Sequence, residues 1–310
     1  MGSTVSPDGR FLAATSADKS VVLQIFDLKT YKLIWAVGTA SGVSQSLSDG
    51  TVGQEGPTYS PDGTVLWLPE KDGLTRFAVN QAGVLGPPTR VSLPAVNGHS
   101  ALVGQTKYSP DGSTLYAALN GQNTVVALDP NTGAIKQTWN VGIAPRELSF
   151  VGSKLYVSNE GGRQARTGEE TMDSYGTAVP ANGYLGTSRT GTVSVVDTAN
   201  PSAAVGSIPV GLHPTAMYQR GHALFVANTN SDTVSVIDTT KDQVVQTIDT
   251  QPWSPVAIRR LRRSVNPRIA RASTLTCRGR VIDGALLASV PEDQAARTLT
   301  ASRIIDTSGS

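Results

Sequence analysis

Residues able to do chemistry are few in this chain. Its 310 residues hold three histidines, His99, His213 and His222, and one cysteine, Cys277. No two histidines stand at the i,i+4 spacing of a helical metal site, and no Cys pair or His-Glu-x-x-His occurs. A Gly-x-Ser-x-Gly elbow and a phosphate-cradling Walker loop are also missing. Asp129-Pro130-Asn131-Thr132-Gly133 lacks the further acids of a calcium loop and reads as a hairpin turn. No metal and no cofactor are expected. What remains is a polar set: Asn159, Glu160 and Arg163 around Gly161-Gly162, with Arg146, His213 and Asn228 elsewhere in the chain. Arginine grips carboxylate or phosphate, and paired glycines let backbone amides approach a ligand. A carboxylate beside a histidine could move protons. The plainer reading of His213, which precedes Pro214, is a hydrogen-bonded corner residue.

The elements that must position this set are repeats, and self-similarity is read before secondary structure. Ser-Pro-Asp-Gly occurs at 6–9, 60–63 and 109–112, each time before an apolar run such as Leu115-Tyr116-Ala117-Ala118. Pro presets φ, Asp bonds back to the backbone and Gly accepts positive φ, so these are turns. A second run ends in Asp (Val125–Asp129, Val234–Asp238), a third follows (Val244–Ile248), and a Val-Gly-x-x-Pro corner restarts the cycle at Val141 and Val210. The terminal positions lie 41 residues apart from Asp197 to Asp238, and 49 from Asn80 to Asp129. Four short strands in 40-odd residues is the period of a β-propeller blade. Five units are recognisable, at 5–37, 57–93, 106–141, 145–210 and 213–248. The alternative is a β-sandwich with coincidental turns. The expected fold is therefore all-β, a propeller of four-stranded blades over residues 1–252. Asp27, Asp197 and Asp238 recur from blade to blade, which argues for turn capping, since a catalytic site needs one copy only.

One blade is interrupted. Asn228 and Thr233 are five steps apart, whereas their counterparts Asn159 and Thr192 are 33 apart. The long loop, 159–191, falls between the second and third strands of its blade. Strand alternation puts that loop on the face that carries the inter-blade corners, with Arg146 and His213, and the Ser-Pro-Asp-Gly turns on the other. A loop of this length is usually functional or disordered. It carries Glu160, Arg163, Arg166, Glu169, Glu170 and Asp173, with Tyr175 and Tyr184 as candidate anchors. Capping of the channel, docking of a partner protein or domain, and contact with a small ligand are all open.

These repeats resemble the YVTN β-propeller family, whose unit reads Ser-Pro-Asp-Gly, Leu-Tyr-Val, Thr-Val-Ser-Val-Ile-Asp. The stretches Ser158–Arg163, Ser174–Thr177, Gly191–Val195 and Val210–Thr215 are similar to bacterial proteins that fuse such a propeller to an alkaline-phosphatase-like phosphoesterase domain. That resemblance implies a seven-bladed ring, export to the periplasm or beyond, and metal-dependent hydrolysis confined to the other domain. This chain shows five units, no recognisable phosphoesterase domain, and an N-terminus, MGSTVSPDGRF, that does not read as a signal peptide. The expectation is a fragment that retains the scaffold: a platform for protein or ligand binding without catalysis of its own. The alternative is a lactonase- or lyase-like enzyme using the channel mouth.

Composition agrees with many short strands: 31 Gly and 18 Pro with only 16% charged residues. No apolar run is long enough to span a membrane. The net charge of +2 hides a split, because residues 259–310 hold ten arginines, no lysine and four acids, while the rest of the chain carries −4. Aromatic residues stop at Trp253. Residues 253–310 thus form an Arg-rich, non-repeat tail. A change of reading frame is its leading explanation, with a degenerate blade around Val281-Ile282-Asp283 or a basic tail as alternatives. Nucleic acid is not expected as a partner, for want of any aromatic ring in that tail on which bases could stack.

Overall fold

Short runs of apolar and β-branched residues between Pro-, Asp- and Gly-rich turns favour strands that bury their faces against neighbours. The computed structural model describes residues 2–250 apart from 17, 19, 42, 47–52 and 185; the Arg-rich tail with Cys277 lies outside the described residues. Five antiparallel four-stranded sheets follow one another along the chain. The first holds β1 (Ser3–Val5), β2 (Phe11–Thr15), β3 (Leu23–Asp27) and β4 (Lys32–Gly38), with β5 (Gln45–Ser46) added parallel to β4. The second holds β6 (Thr58–Tyr59), β7 (Val65–Glu70), β8 (Gly73–Ala78) and β9 (Thr89–Ser92). The third holds β10 (Val103–Tyr108), β11 (Leu115–Leu119), β12 (Thr124–Leu128) and β13 (Ile135–Asn140). The fourth begins with β14 (Ile143–Val151) and β15 (Lys154–Gly162). It leaves for a small sheet of β16 (Thr171–Ser174), β17 (Thr177–Asn182) and β18 (Thr187–Ser188), then resumes with β19 (Gly191–Asp197) and β20 (Gly206–Val210). The fifth holds β21 (Pro214–Arg220), β22 (Ala223–Asn228), β23 (Thr233–Asp238) and β24 (Gln243–Asp249). Each sheet pairs its strands in sequence order, the up-and-down blade of a propeller.

The Ser-Pro-Asp-Gly turns are one structure used three times. In each, the serine hydroxyl donates to the aspartate, at 2.6 Å for Ser6–Asp8 and 2.5 Å for Ser60–Asp62 and Ser109–Asp111. The same hydroxyl accepts the amide that opens the next strand, from Phe11, Val65 or Thr114. The glycine closes the turn at φ +74°, +73° and +74°. The serine bond is the chief cause holding all three aspartates below the usual carboxylate range.

Packing between blades follows from strands that bury both faces. On β11, Leu115 and Ala117 turn toward the second blade and meet Trp67 and Leu74. Tyr116 and Ala118 turn the other way and meet Leu148, Leu155 and Val157 of the fourth. Corresponding cores join the first blade to the second through Phe11, Ile25, Trp35, Leu66 and Phe77, and the fourth to the fifth through Tyr156, Val193, Leu224 and Ile237. Polar bolts cross the same seams: Trp67 Nε1 donates to Tyr108 Oη at 2.9 Å, and Tyr156 Oη to Asp242 Oδ1 at 2.5 Å. None of these clusters joins the fifth blade to the first among the described residues.

Candidate functional site

The interrupted blade keeps its ladder: β15 pairs with β19 from Lys154–Asp197 to Asn159–Thr192. The insert between them is itself folded. Its β16–β17 hairpin turns through Tyr175 and Gly176, at φ +50° and +91°, the positive pair that a two-residue type I′ turn demands. Met172 and Val179, paired across that hairpin, press their apolar side chains on Ile143 and Ala144 at the corner entering the fourth blade. The tip then crosses the neighbouring blades. Asn123 Nδ2 donates to Thr177 Oγ1 at 2.9 Å, and Tyr175 Oη to Gln54 Oε1 at 3.4 Å. Gly176 lies so close to the His99 ring that a Cβ there would stand 2.4 Å from it. Gln54, His99 and Asn123 belong to connections at the same end of the second and third blades, so the insert roofs that end of the neighbouring blades.

Glu160 lies under the roof with its side chain 4% exposed. Arg146, on β14, donates Nη1 to Glu160 Oε1 and Nε to Glu55 Oε1. Burial works against the guanidinium's charge, but the two carboxylates outweigh it and hold its pKa above the ordinary arginine value. His213 Nε2 stands 3.5 Å from the same Glu160 Oε1. His213 owes its position to the corner, where it takes φ +53° just before Pro214; Ala144 takes φ +56° before Pro145 in the preceding copy. The backbone there is repeat architecture, and the imidazole is what this copy adds. Deeper along the inner strands, desolvation draws the Lys107 ammonium below its usual pKa, partly offset by Glu147, whose Oε2 accepts the Met217 amide at 2.8 Å.

The remaining sequence-selected residues fall elsewhere. Asn159 and Asn228 occupy equivalent places, both buried. Asn159 Nδ2 donates to Thr192 Oγ1 and Ser194 Oγ, and Asn228 Nδ2 to Thr233 Oγ1 and Ser235 Oγ, so each bolts the second strand of its blade to the third. Arg163 forms a two-pronged pair with Glu169 inside the insert, at 2.8 and 2.6 Å, and the partnership holds Glu169 at about 2. Tyr175 reaches Gln54 as described, whereas Tyr184 is 95% exposed. Glu55 was missed in the sequence. Its signal is Val52-Gly53-Gln54-Glu55-Gly56-Pro57, the Val-Gly-x-x-Pro corner lengthened by one residue.

Between roof and mouth lies a cavity of about 350 Å³, walled by Glu160, His213, Asp173, Ser174, Tyr175, Met172, Val179 and Asn230 among others. That volume is within the range of small-molecule sites, about 300–1,000 Å³. Glu160 and His213 converge on it; Arg146 and Glu55 support it from below; Asn159, Asn228 and Arg163 are not in its wall. Among the described residues, no group of three or more His, Cys, Asp or Glu is placed to hold a metal ion. No described helix is long and apolar enough to cross a membrane.

No protein-family model matches the chain, and no curated protein does. Solved structures do match. Hydrazine synthase of Kuenenia stuttgartiensis is 16% identical with a TM-score of 0.54, covering 88% of this chain and 69% of that one. Virginiamycin B lyase from Staphylococcus aureus is 13% identical at 0.52, over 82% of this chain and 70% of that one. The Cps50 (Swd1) β-propeller domain of Myceliophteria thermophila is 12% identical at 0.52, over 81% and 73%. At such identities the likeness is one of fold alone, and the fold it establishes for this chain is the β-propeller.

Proposed function

We propose that the chain is a propeller-based binding scaffold whose binding place is the roofed mouth. The observation that carries this reading is the folded insert itself: it spans from the fourth blade to the connections of the third and second, and partly covers a cavity over Glu160 and His213. The repeat's resemblance supports a setting in an exported, phosphoesterase-like protein, in which catalysis sits in a separate domain and the insert offers it a docking surface. In the test, residues 161–191 are replaced by Asn-Ser-Asp, copying the short connection of the fifth blade, and a fragment library is screened on both proteins by amide chemical shifts. Fragments that perturb Gly161 and Ser188 in the parent and lose binding in the short-loop variant are expected. Hits confined to other surfaces, or unaffected by the replacement, would overturn the reading.

A second reading, an enzyme of lactonase or lyase type, is favoured by the 3.5 Å approach of His213 Nε2 to Glu160 Oε1. There His213 would move the proton and Glu160 would orient its ring. Turnover of simple lactones or esters that disappears in His213→Ala would select this reading; inert protein would leave the scaffold.

A further inference from the structure

The mouth cavity has a definite electrostatic sign. Its wall contains two carboxylates, Glu160 and Asp173, and no lysine or arginine. Beneath it, Arg146 is shared between Glu55 and Glu160, so this chain of three charges is left with one net negative. Both contacts to the Glu160 carboxylate fall on Oε1. Oε2 accepts no hydrogen bond from the described residues, and Glu160 forms part of the cavity wall. Because Glu160 lines the cavity, that oxygen can take a charge-assisted hydrogen bond from a ligand there. The other walls are Met172 and Val179 on the roof, with the Tyr175 ring at the lip. Apolar surface and an aromatic ring near a carboxylate suit an organic cation, held by charge-assisted hydrogen bonding and by the ring face. A bare divalent ion would need several more oxygen ligands than these two carboxylates offer.

We propose that the cavity beneath the insert binds a small organic ammonium compound, its charged nitrogen on Glu160 Oε2 and its apolar body against Met172, Val179 and Tyr175. This rests on the mouth being the binding place and adds the class of ligand.

The probe is benzylammonium, with benzyl alcohol as its neutral counterpart, titrated into the full chain and followed at the Gly161 and Ser188 amides. The ammonium is expected to saturate those shifts and to bind at least about tenfold tighter than the alcohol, as loss of a charged hydrogen bond would give. Glu160→Gln should weaken it by about tenfold or more. Tyr175→Asn places Asn-Gly in a type I′ turn, which keeps the hairpin, and should weaken binding several-fold through loss of the ring alone. Equal binding of alcohol and ammonium, unchanged affinity in Glu160→Gln, or the same amides responding to Mg²⁺ but not to the ammonium would overturn the proposal. If neither probe binds the mouth while fragments from the library do, this inference falls alone. If no fragment binds there either, the scaffold reading falls with it.

Discussion

Replacing Arg146 with methionine removes the one cation between Glu55 and Glu160 while keeping the aliphatic stem. The loss falls unequally, because the Glu55 side chain is 21% exposed and Glu160 only 4%. Glu55 can turn to water; Glu160 is left as a buried carboxylate with His213 at 3.5 Å as its remaining partner. Breaking a buried pair from one side costs about 3–5 kcal/mol, and the partial exposure and the nearby imidazole place this case at the lower end, about 3 kcal/mol. In a domain of this size each kcal/mol moves Tm by about 2–4 °C, so a fall of about 6–12 °C is expected. Glu160→Gln alone keeps Arg146 on Glu55 and should cost about 1–2 kcal/mol. The double variant strands no buried charge, so its cost should fall short of the sum of the singles by about 1–2 kcal/mol. Urea unfolding of the four proteins completes the cycle. Additive single effects, or a cost for Arg146→Met under about 0.5 kcal/mol, would show that the carboxylate under the roof does not depend on its guanidinium.

Other consequences are simpler to read. Ser60→Ala removes both the donor to Asp62 and the acceptor for the Val65 amide, and a loss of about 1–2 kcal/mol in urea unfolding is expected. Gly211→Ala would set a Cβ 2.6 Å from Asn228 Cγ and should cost about 1–3 kcal/mol by overpacking; an unchanged midpoint would refute the tight corner. Leu155→Ala empties a fully buried position between the third and fourth blades and should cost about 2–5 kcal/mol by the same assay. Glu169 is held at about 2, chiefly by Arg163, and Asp129 at about 2, chiefly by the Asn131 amide; Asp8, Asp62 and Asp111 are lowered by their serines. Depressed folded-state values mean stability that is present above the ordinary values of 4.5 for Glu169 and 3.8 for these aspartates, and lost as pH falls toward about 2. Urea midpoints that stay level from about pH 5 to about pH 2.5 would contradict this sign.

Much of the blade was legible in the sequence because its causes are local. Ser-Pro-Asp-Gly closes a turn from its own four residues, and an apolar run such as Leu115–Leu119 becomes a strand buried on both faces wherever similar units flank it. The position of the insert was also legible, since Asn159 and Thr192 repeat Asn228 and Thr233, and strand alternation sets which end of the blade it leaves from. The roof was not. Tyr175 meets Gln54 across 121 residues, and Gly176 meets His99, at distances only the packing of three blades can set. Nor did residue type separate Glu160, which faces the cavity, from its neighbour Asn159, which bolts two strands together: adjacent strand residues point opposite ways, and a repeat does not say which side holds a ligand. Local chemistry fixes the repeating unit, its turns and the place where one copy was opened. That Arg146 is shared between Glu55 and Glu160 was settled by tertiary structure, because it ties two strands of the fourth blade to the connection entering the second and exists only once the blades are stacked.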